Sequence, residues 1–380
     1  MKKKKIIRAC TVSQSLGFVK DMLPDLMQKY EVVLLSSPGE ELDEAKAQYG
    51  VKTIAVPMER HISVLKDFVS LCRLIITFLR ERPDMVHSMT PKAGMLCMLA
   101  GWLTRVPVRV HTFTGLVFPA STGMKRRILM FTDWLTCACA THVIPEGEGV
   151  KADLLNNGIT KKPLQVLGYG NVMGVDLSYY CKENVNLNLN EERKLKTDGV
   201  FTFLFVGRIV RDKGINELVK AFLRLHNNHL NTKLYLVGPF EDSLDPISSE
   251  TRQAISQNNS IDAVGAKRGD DLLAYYAAAD CFVFPSYREG FPNTVLEAGA
   301  MELPSIVTDI NGSREIIIEG KNGVIVPPRD EQALFEAMKE MLENTEKRKE
   351  MAANARRLIS QRFEASFVRA CLYDFYRRVV

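Results

Sequence analysis

In the stretch SYREGFPNTVLEAGAM (286–301), Glu289 and Glu297 stand eight positions apart on either side of a helix start. CFVFPS before it reads as a strand, YREGFP as a loop, and Asn293 as the N-cap of TVLEAGAM. A helix opening there leaves backbone amides from Phe291 to Val295 free for a phosphate or a sugar hydroxyl. Glu297, about one turn into the helix, is placed to accept two hydrogen bonds from a ribose diol. Glu289, in the loop, is placed for the hydroxyls of a second sugar. Each acid alone has a plainer reading, Glu289 as a loop charge and Glu297 as a partner of the helix dipole. Their joint spacing after a strand end favours a ligand.

A second junction, FTFLFVGRIVRDKGINELVKAF (201–222), runs a strand into Gly207-Arg208 and opens a helix at Lys213-Gly214. Two cations at the crevice end of a strand suit a diphosphate: arginine offers a fork of donors, lysine a compact charge. Surface solubility would explain a lone Gly-Arg, but the Lys-Gly five residues on favours phosphate binding. Metal chemistry has little support. There is no D-x-D or H-E-x-x-H pattern, and Asp270-Asp271 sit where helix capping explains them. The eight cysteines form no C-x-x-C pair and read as core thiols.

These junctions need strands to end beside helix starts, and the chain supplies them twice. KIIRACTV (5–12), EVVLLSS, VKTIAVP, DMVHSM, VRVHTF and HVIP alternate with helical patterns, the first being LGFVKDMLPDLMQKY interrupted by Pro24. Strands so continuous in Val, Ile and Leu suit a parallel sheet covered on both faces. Polar residues 182–199 follow, and the alternation restarts with FTFLFVG, KLYLVG, SIDAVG, CFVFPS, PSIVTD and GVIVPP. The expected architecture is α/β, with two doubly wound parallel-sheet domains facing across a cleft. Their expected bounds are 1–180, a polar linker at 181–199, 200–362, and a C-terminal helix at 363–380 that packs on the first domain.

The pattern Gly207-Arg208…Lys213-Gly214 followed by Glu289-Gly290-Phe291-Pro292-Asn293…Glu297 resembles the retaining glycosyltransferases of family 4, which have the GT-B fold. NVMGVD (171–176) stands where that family has N-G-V-D, and the resemblance covers essentially the whole chain. In texture the chain is most similar to bacterial enzymes that build capsule and exopolysaccharide on an undecaprenyl-diphosphate carrier, N-acetylgalactosaminyl transferases among them. The resemblance implies that Arg208 and Lys213 bind the donor diphosphate and Glu297 the ribose. It implies that Glu289 contacts the donor sugar, helped by backbone around Gly290, Phe291, Pro292, Asn293 and Thr294. Gly265, Ala266 and Lys267 match the nucleobase position. Gly17 in SQSLGF matches one of a glycine pair that approaches the diphosphate, and His111 matches a histidine near the transferred sugar. For His111 a satisfied structural residue is the competing reading. Lys92, at another helix start, is placed for the acceptor phosphate.

The resemblance further implies a UDP-sugar donor, no metal or other cofactor, front-face attack and a lipid-linked saccharide acceptor. Lys125-Arg126-Arg127 ahead of ILMFTDWL gives a basic, apolar helix at 125–135 suited to an anionic membrane surface on the cytoplasmic side. A core helix with a solvated basic start fits that pattern equally well. The apolar stretch 62–79 contains Lys66, Asp67 and Arg73, and reads as a buried or amphipathic helix rather than a membrane span.

The formal charge of +5 does not indicate nucleic acid, and it suits phosphorylated ligands or an anionic membrane. The basic N-terminus forms no signal-peptide h-region. Three alternatives remain: a GT-B sugar-nucleotide epimerase, a nicotinamide-dependent oxidoreductase and a non-catalytic nucleotide-sugar-binding protein. The oxidoreductase is disfavoured because no G-x-G-x-x-G opens the first helix.

Overall fold

The computed structural model describes residues 3–59, 61, 63–185, 195–242 and 245–380. The chain divides into two units, Met1–Met173 with Val368–Val380, and Gly174–Phe367. The middle of the expected linker at 181–199, residues 186–194, lies outside the described residues.

In the first unit the apolar runs form β1 (Lys5–Ala9), β2 (Glu31–Ser36), β3 (Lys52–Ala55), β4 (Met85–Met89), β5 (Val108–Phe113) and β6 (His142–Pro145). All pair in parallel in the order β3-β2-β1-β4-β5-β6, with Ile7 opposite both Val33 and Val86. The crossover segments carry α1 (Gly17–Lys20), α2 (Leu23–Lys29), α3 (Glu40–Tyr49), α4 (Val64–Glu81), α5 (Pro91–Leu103) and α6 (Gly123–Cys139); α7 (Glu148–Asn156) follows β6. Pro24 falls in the first turn of α2, where its missing N–H costs nothing, so the helical stretch divides ahead of it. One core lies under α4, α5 and α6 and includes Leu74, Phe78 and Phe118; the other lies under α1, α2 and α3. Each fully buried side chain of this size contributes roughly 1.5–3 kcal/mol relative to exposure.

The second unit repeats the plan. Its strands are β7 (Phe201–Val206), β8 (Thr232–Val237), β9 (Ile261–Gly265), β10 (Cys281–Phe284), β11 (Ser305–Thr308) and β12 (Gly323–Val326). They pair in parallel in the order β12-β11-β10-β7-β8-β9. Around them lie α8 (Ile215–Asn228), α9 (Ser249–Gln257), α10 (Asp270–Ala278), α11 (Asn293–Ala300), α12 (Ser313–Ile316), α13 (Glu331–Glu343) and α14 (Thr345–Phe363). Strand order reverses between β1 and β4 in one sheet and between β7 and β10 in the other, the place where open α/β sheets gather ligands.

The last helix, α15 (Ala365–Val379), belongs from Val368 onward to the first unit. Its Tyr376 is fully buried, accepts a hydrogen bond from the Arg8 guanidinium, and lies 2.5 Å from Nδ1 of His87. His87 Nε2 in turn meets Thr112 at 2.7 Å. Burial and the nearby Arg8 charge hold the imidazole well below its ordinary pKa, so His87 is a neutral core residue.

Candidate active site

At the reversal point of the second sheet, Phe205 of β7 stacks on Phe284 of β10 at 5.8 Å. The Lys213 ammonium stands 5.3 Å from the Phe284 ring centre and forms an ion pair with Glu289 Oε1. Both side chains are largely buried, at 14% and 16% exposure, so each charge depends on the other for solvation lost in folding. Ser286 Oγ donates to the same Glu289 oxygen at 2.8 Å, and Thr308 donates to the Ser286 carbonyl. Lys213 closes a 3-10 turn (Arg211–Lys213), and Gly214 then takes φ 71°. A Cβ there would lie 2.1 Å from the Pro285 carbonyl oxygen, so the turn can seat Lys213 only with glycine after it.

The loop bearing Glu289 is pressed from its other side. Gly312, at φ 74°, leaves room where a Cβ would stand 2.4 Å from the Gly290 carbonyl oxygen. Phe291 is buried against Phe363 at 5.3 Å. The helix start differs from expectation in two respects. Pro292 occupies the N-cap position and Asn293 is the first helical residue, with no side-chain cap bond. Proline fixes its own φ and so sets the entry angle without a side-chain bond. The amide of Val295 is also taken, donating to the Pro292 carbonyl at 3.1 Å.

Glu297 is half-buried on α11 and accepts a hydrogen bond from Tyr276 at 2.8 Å; Tyr180 bonds to it as well. Burial pushes its carboxyl above the usual range, against the pull of the two hydroxyls. A carboxylate offers about four lone-pair sites, so two orienting tyrosines leave capacity for a diol. Arg208 is exposed and pairs with Glu241. Gly207, Gly238 and Gly265 lie side by side at the ends of β7, β8 and β9. Ala266 beyond them is exposed and Lys267 half-buried. Thr294 is half-buried at the start of α11.

The first unit places its expected residues unevenly. Gly17 opens α1, and a Cβ there would meet nothing within 4 Å, so the protein's own packing does not require glycine. His111 lies within β5, two residues before its end at Phe113. Its ring is buried, 2.9 Å from Ser88 Oγ and 4.4 Å from the Phe113 ring, and a Cβ on Gly94 would strike it at 2.4 Å. Burial holds its pKa down at about 3, so the ring is neutral and packed. Lys92 bonds to Asp67 Oδ2 at 2.5 Å and to the His61 carbonyl at 2.9 Å. Two residues before it, Thr90 holds φ 72°, a conformation that strains a β-branched residue.

The sequence reading missed the pairing of Lys213 with Glu289, and also Glu241, Tyr180 and Tyr276. Tyr276 had no legible signal, since an aromatic pair in DDLLAYYAAAD reads as core, and Tyr180 stands far off in VDLSYYCK.

Over 378 residues the chain is 31% identical to the capsular polysaccharide biosynthesis glycosyltransferase CapM of Staphylococcus aureus, covering 99% of this chain and 97% of that one. The chain belongs to the group 1 glycosyltransferases. The profile described as Glycosyl transferases group 1 matches residues 188–358, and that of the Glycosyl transferase 4-like domain matches 26–170. This glycosyltransferase is also 25% identical over 301 residues to an Escherichia coli UDP-Gal:alpha-D-GlcNAc-diphosphoundecaprenol alpha-1,3-galactosyltransferase, covering 78% of this chain and 75% of that one. Among solved structures, Anabaena HepE in complex with UDP-glucose superposes with a TM-score of 0.80 at 18% identity, over 98% of this chain and 99% of that one. The fold is GT-B.

Proposed function

We propose that this glycosyltransferase moves a hexose or N-acetylhexosamine from a UDP-sugar to a lipid-diphosphate-linked glycan in surface polysaccharide biosynthesis, with retention and without a metal ion. The observation that carries the donor half is the largely buried Lys213–Glu289 pair at the sheet reversal, with Arg208 following β7 and Glu297 held by two tyrosines. The acceptor half is supported by the printed activity of the E. coli relative and the role of CapM.

In this reading Arg208 and Lys213 take the donor diphosphate, exchanging their carboxylate partners for phosphate oxygens. Glu289, released from Lys213, accepts hydroxyls of the transferred sugar, and Glu297 accepts those of the ribose. Gly290, Phe291, Pro292, Asn293 and Thr294 shape the donor pocket, and Gly265, Ala266 and Lys267 flank the base. Gly17 leaves space for the diphosphate. The bond from the anomeric carbon to the leaving phosphate oxygen breaks as the acceptor oxygen attacks the same face. The acceptor proton passes to that phosphate oxygen. Cations and helix amides stabilise the negative charge that builds on the leaving group. Lys92 serves the acceptor phosphate, and residues 125–135 touch an anionic membrane at its cytoplasmic face.

A screen of UDP-sugars against polyprenyl-diphosphate saccharides in EDTA, read by mass spectrometry and product NMR, tests this. Transfer with a retained anomeric configuration is expected. An inverted product, a strict requirement for added Mg²⁺, or NAD binding in place of nucleoside diphosphates would each refute its part.

A further inference from the structure

Helix α4 is apolar on two sides, and the protein covers only one. Leu74 and Phe78 face the core, while Val64, Leu65, Phe68, Val69, Ile76 and Leu79 are 48–83% exposed. With half-buried Cys72 bridging Val69 and Ile76, the exposed set recurs at three- and four-residue spacing along the helix. Lys66, Arg73 and Arg80 recur every seventh position and so line its margin.

The stripe is not isolated. α4, α5 and α6 cover the same core and so form one layer, all running opposite to the parallel strands they connect. Met124, Ile128, Phe131 and Trp134 are exposed on α6, and Trp102 and Leu103 at the end of α5. Both tryptophans of the chain therefore stand on this layer. Phe131 and Trp134 stack at 5.7 Å, an apolar pair left in water.

Of the sixteen large apolar side chains exposed among the described residues, twelve lie on these three helices. Monomeric soluble proteins rarely leave so much apolar surface contiguous. The charge is one-sided. The three acids of these helices are withdrawn: Asp67 pairs with Lys92, Glu81 with Lys5 and Lys52, and Asp133 is buried. Lys66, Arg73, Arg80, Lys125 and Arg127 remain exposed, of which Lys66 pairs with Glu59.

We infer that the outer face of α4, α5 and α6 lies flat on a bilayer containing anionic phospholipid, with α4 as the principal inserted element. Apolar side chains rimmed by cations and carrying tryptophan are the composition of an interfacial helix. No helix among the described residues is long and apolar enough to cross a membrane, so the layer rests on the surface. This deepens the acceptor half of the proposed function, enlarging the contact from 125–135 to a three-helix face.

The test uses the full chain with extruded vesicles of phosphatidylcholine alone or with about one-third phosphatidylglycerol, read by co-sedimentation and tryptophan fluorescence. Binding to the anionic vesicles with a blue shift is expected, weakening with salt and on neutral vesicles. The double variant Leu65→Glu/Phe68→Glu is expected to lower partitioning by roughly tenfold or more, and Arg73→Glu/Arg80→Glu by several-fold. Leu230→Glu, in the second unit, leaves it unchanged. UDP titration of each variant reports folding and keeps the two ideas apart: intact UDP binding with lost partitioning supports this face. Partitioning without any nucleotide binding would refute only the donor reading. A wild-type chain that ignores both vesicles overturns the inference. So does partitioning unaffected by Leu65→Glu/Phe68→Glu, including the case where that variant only breaks a dimer.

Discussion

The two units share one strand order yet expose different surfaces. Gly174–Phe367 leaves two large apolar side chains exposed among its described residues, Leu230 and Phe367; the first unit leaves fourteen. The second unit concentrates its unusual features at the sheet edge, where paired charges and close glycine contacts hold a loop. The first unit carries its own on the outside of a helical layer. The same topology fixes where helices start and leaves open what their outer faces meet. A doubly wound sheet therefore carries a buried ion pair at its strand ends in one unit and an exposed apolar helical face in the other.

The largest expected effect breaks the second unit's side of this contrast. Lys213→Ala leaves the Glu289 carboxylate largely buried and unpaired, which costs about 3–5 kcal/mol of stability, and turnover is expected to fall by about a hundredfold. Calorimetric UDP titration and thermal unfolding measure both. Unchanged kinetics would move the chemistry away from this edge.

Next comes a charge buried in the first unit. Asp133 on α6 has its carboxyl pushed up to about 7 by burial alone. Protonation of the folded state is thereby favoured, so stability is full below about pH 4 and declines as pH rises to about 7. Asp133→Asn is expected to remove that slope and to stabilise at pH 8 by up to roughly 4 kcal/mol. Denaturant unfolding from pH 4 to 8 checks the sign; an unaltered slope places the titration elsewhere.

The smallest effect sharpens the picture of the donor edge. Arg208 and Glu241 are both partly exposed, so their pair is weak and competes with a diphosphate. Glu241→Gln is expected to tighten UDP binding about threefold. Weaker binding would mean that Glu241 orients Arg208 for its ligand.

Most strands were legible because they are short, apolar and buried on both faces, whereas β3, β9 and β12 are only partly covered. Glu289, Glu297, Arg208 and Lys213 were legible because strand ends and helix starts announce them. Partnership was not. Lys213 and Glu289 meet across 76 positions, and only the sheet's reversal brings them together. His111 sits inside VRVHTF, and the resemblance alone pointed to it; its burial beside Ser88 and Phe113 appears only in the fold. On α4 the apolar residues were plain in the sequence. Which of its two faces the core would claim depended on Leu74 and Phe78 fitting the sheet.

Tyr376 has one more consequence. Arg8 and His87 are enclosed in the first unit's core but find their hydroxyl partner on a helix encoded after the whole second unit. During synthesis on the ribosome, β1 and β4 emerge long before that helix does. The second unit emerges complete while the first still lacks the segment that closes its core. Closure of the first unit's core thus waits on a segment made after every residue of the second.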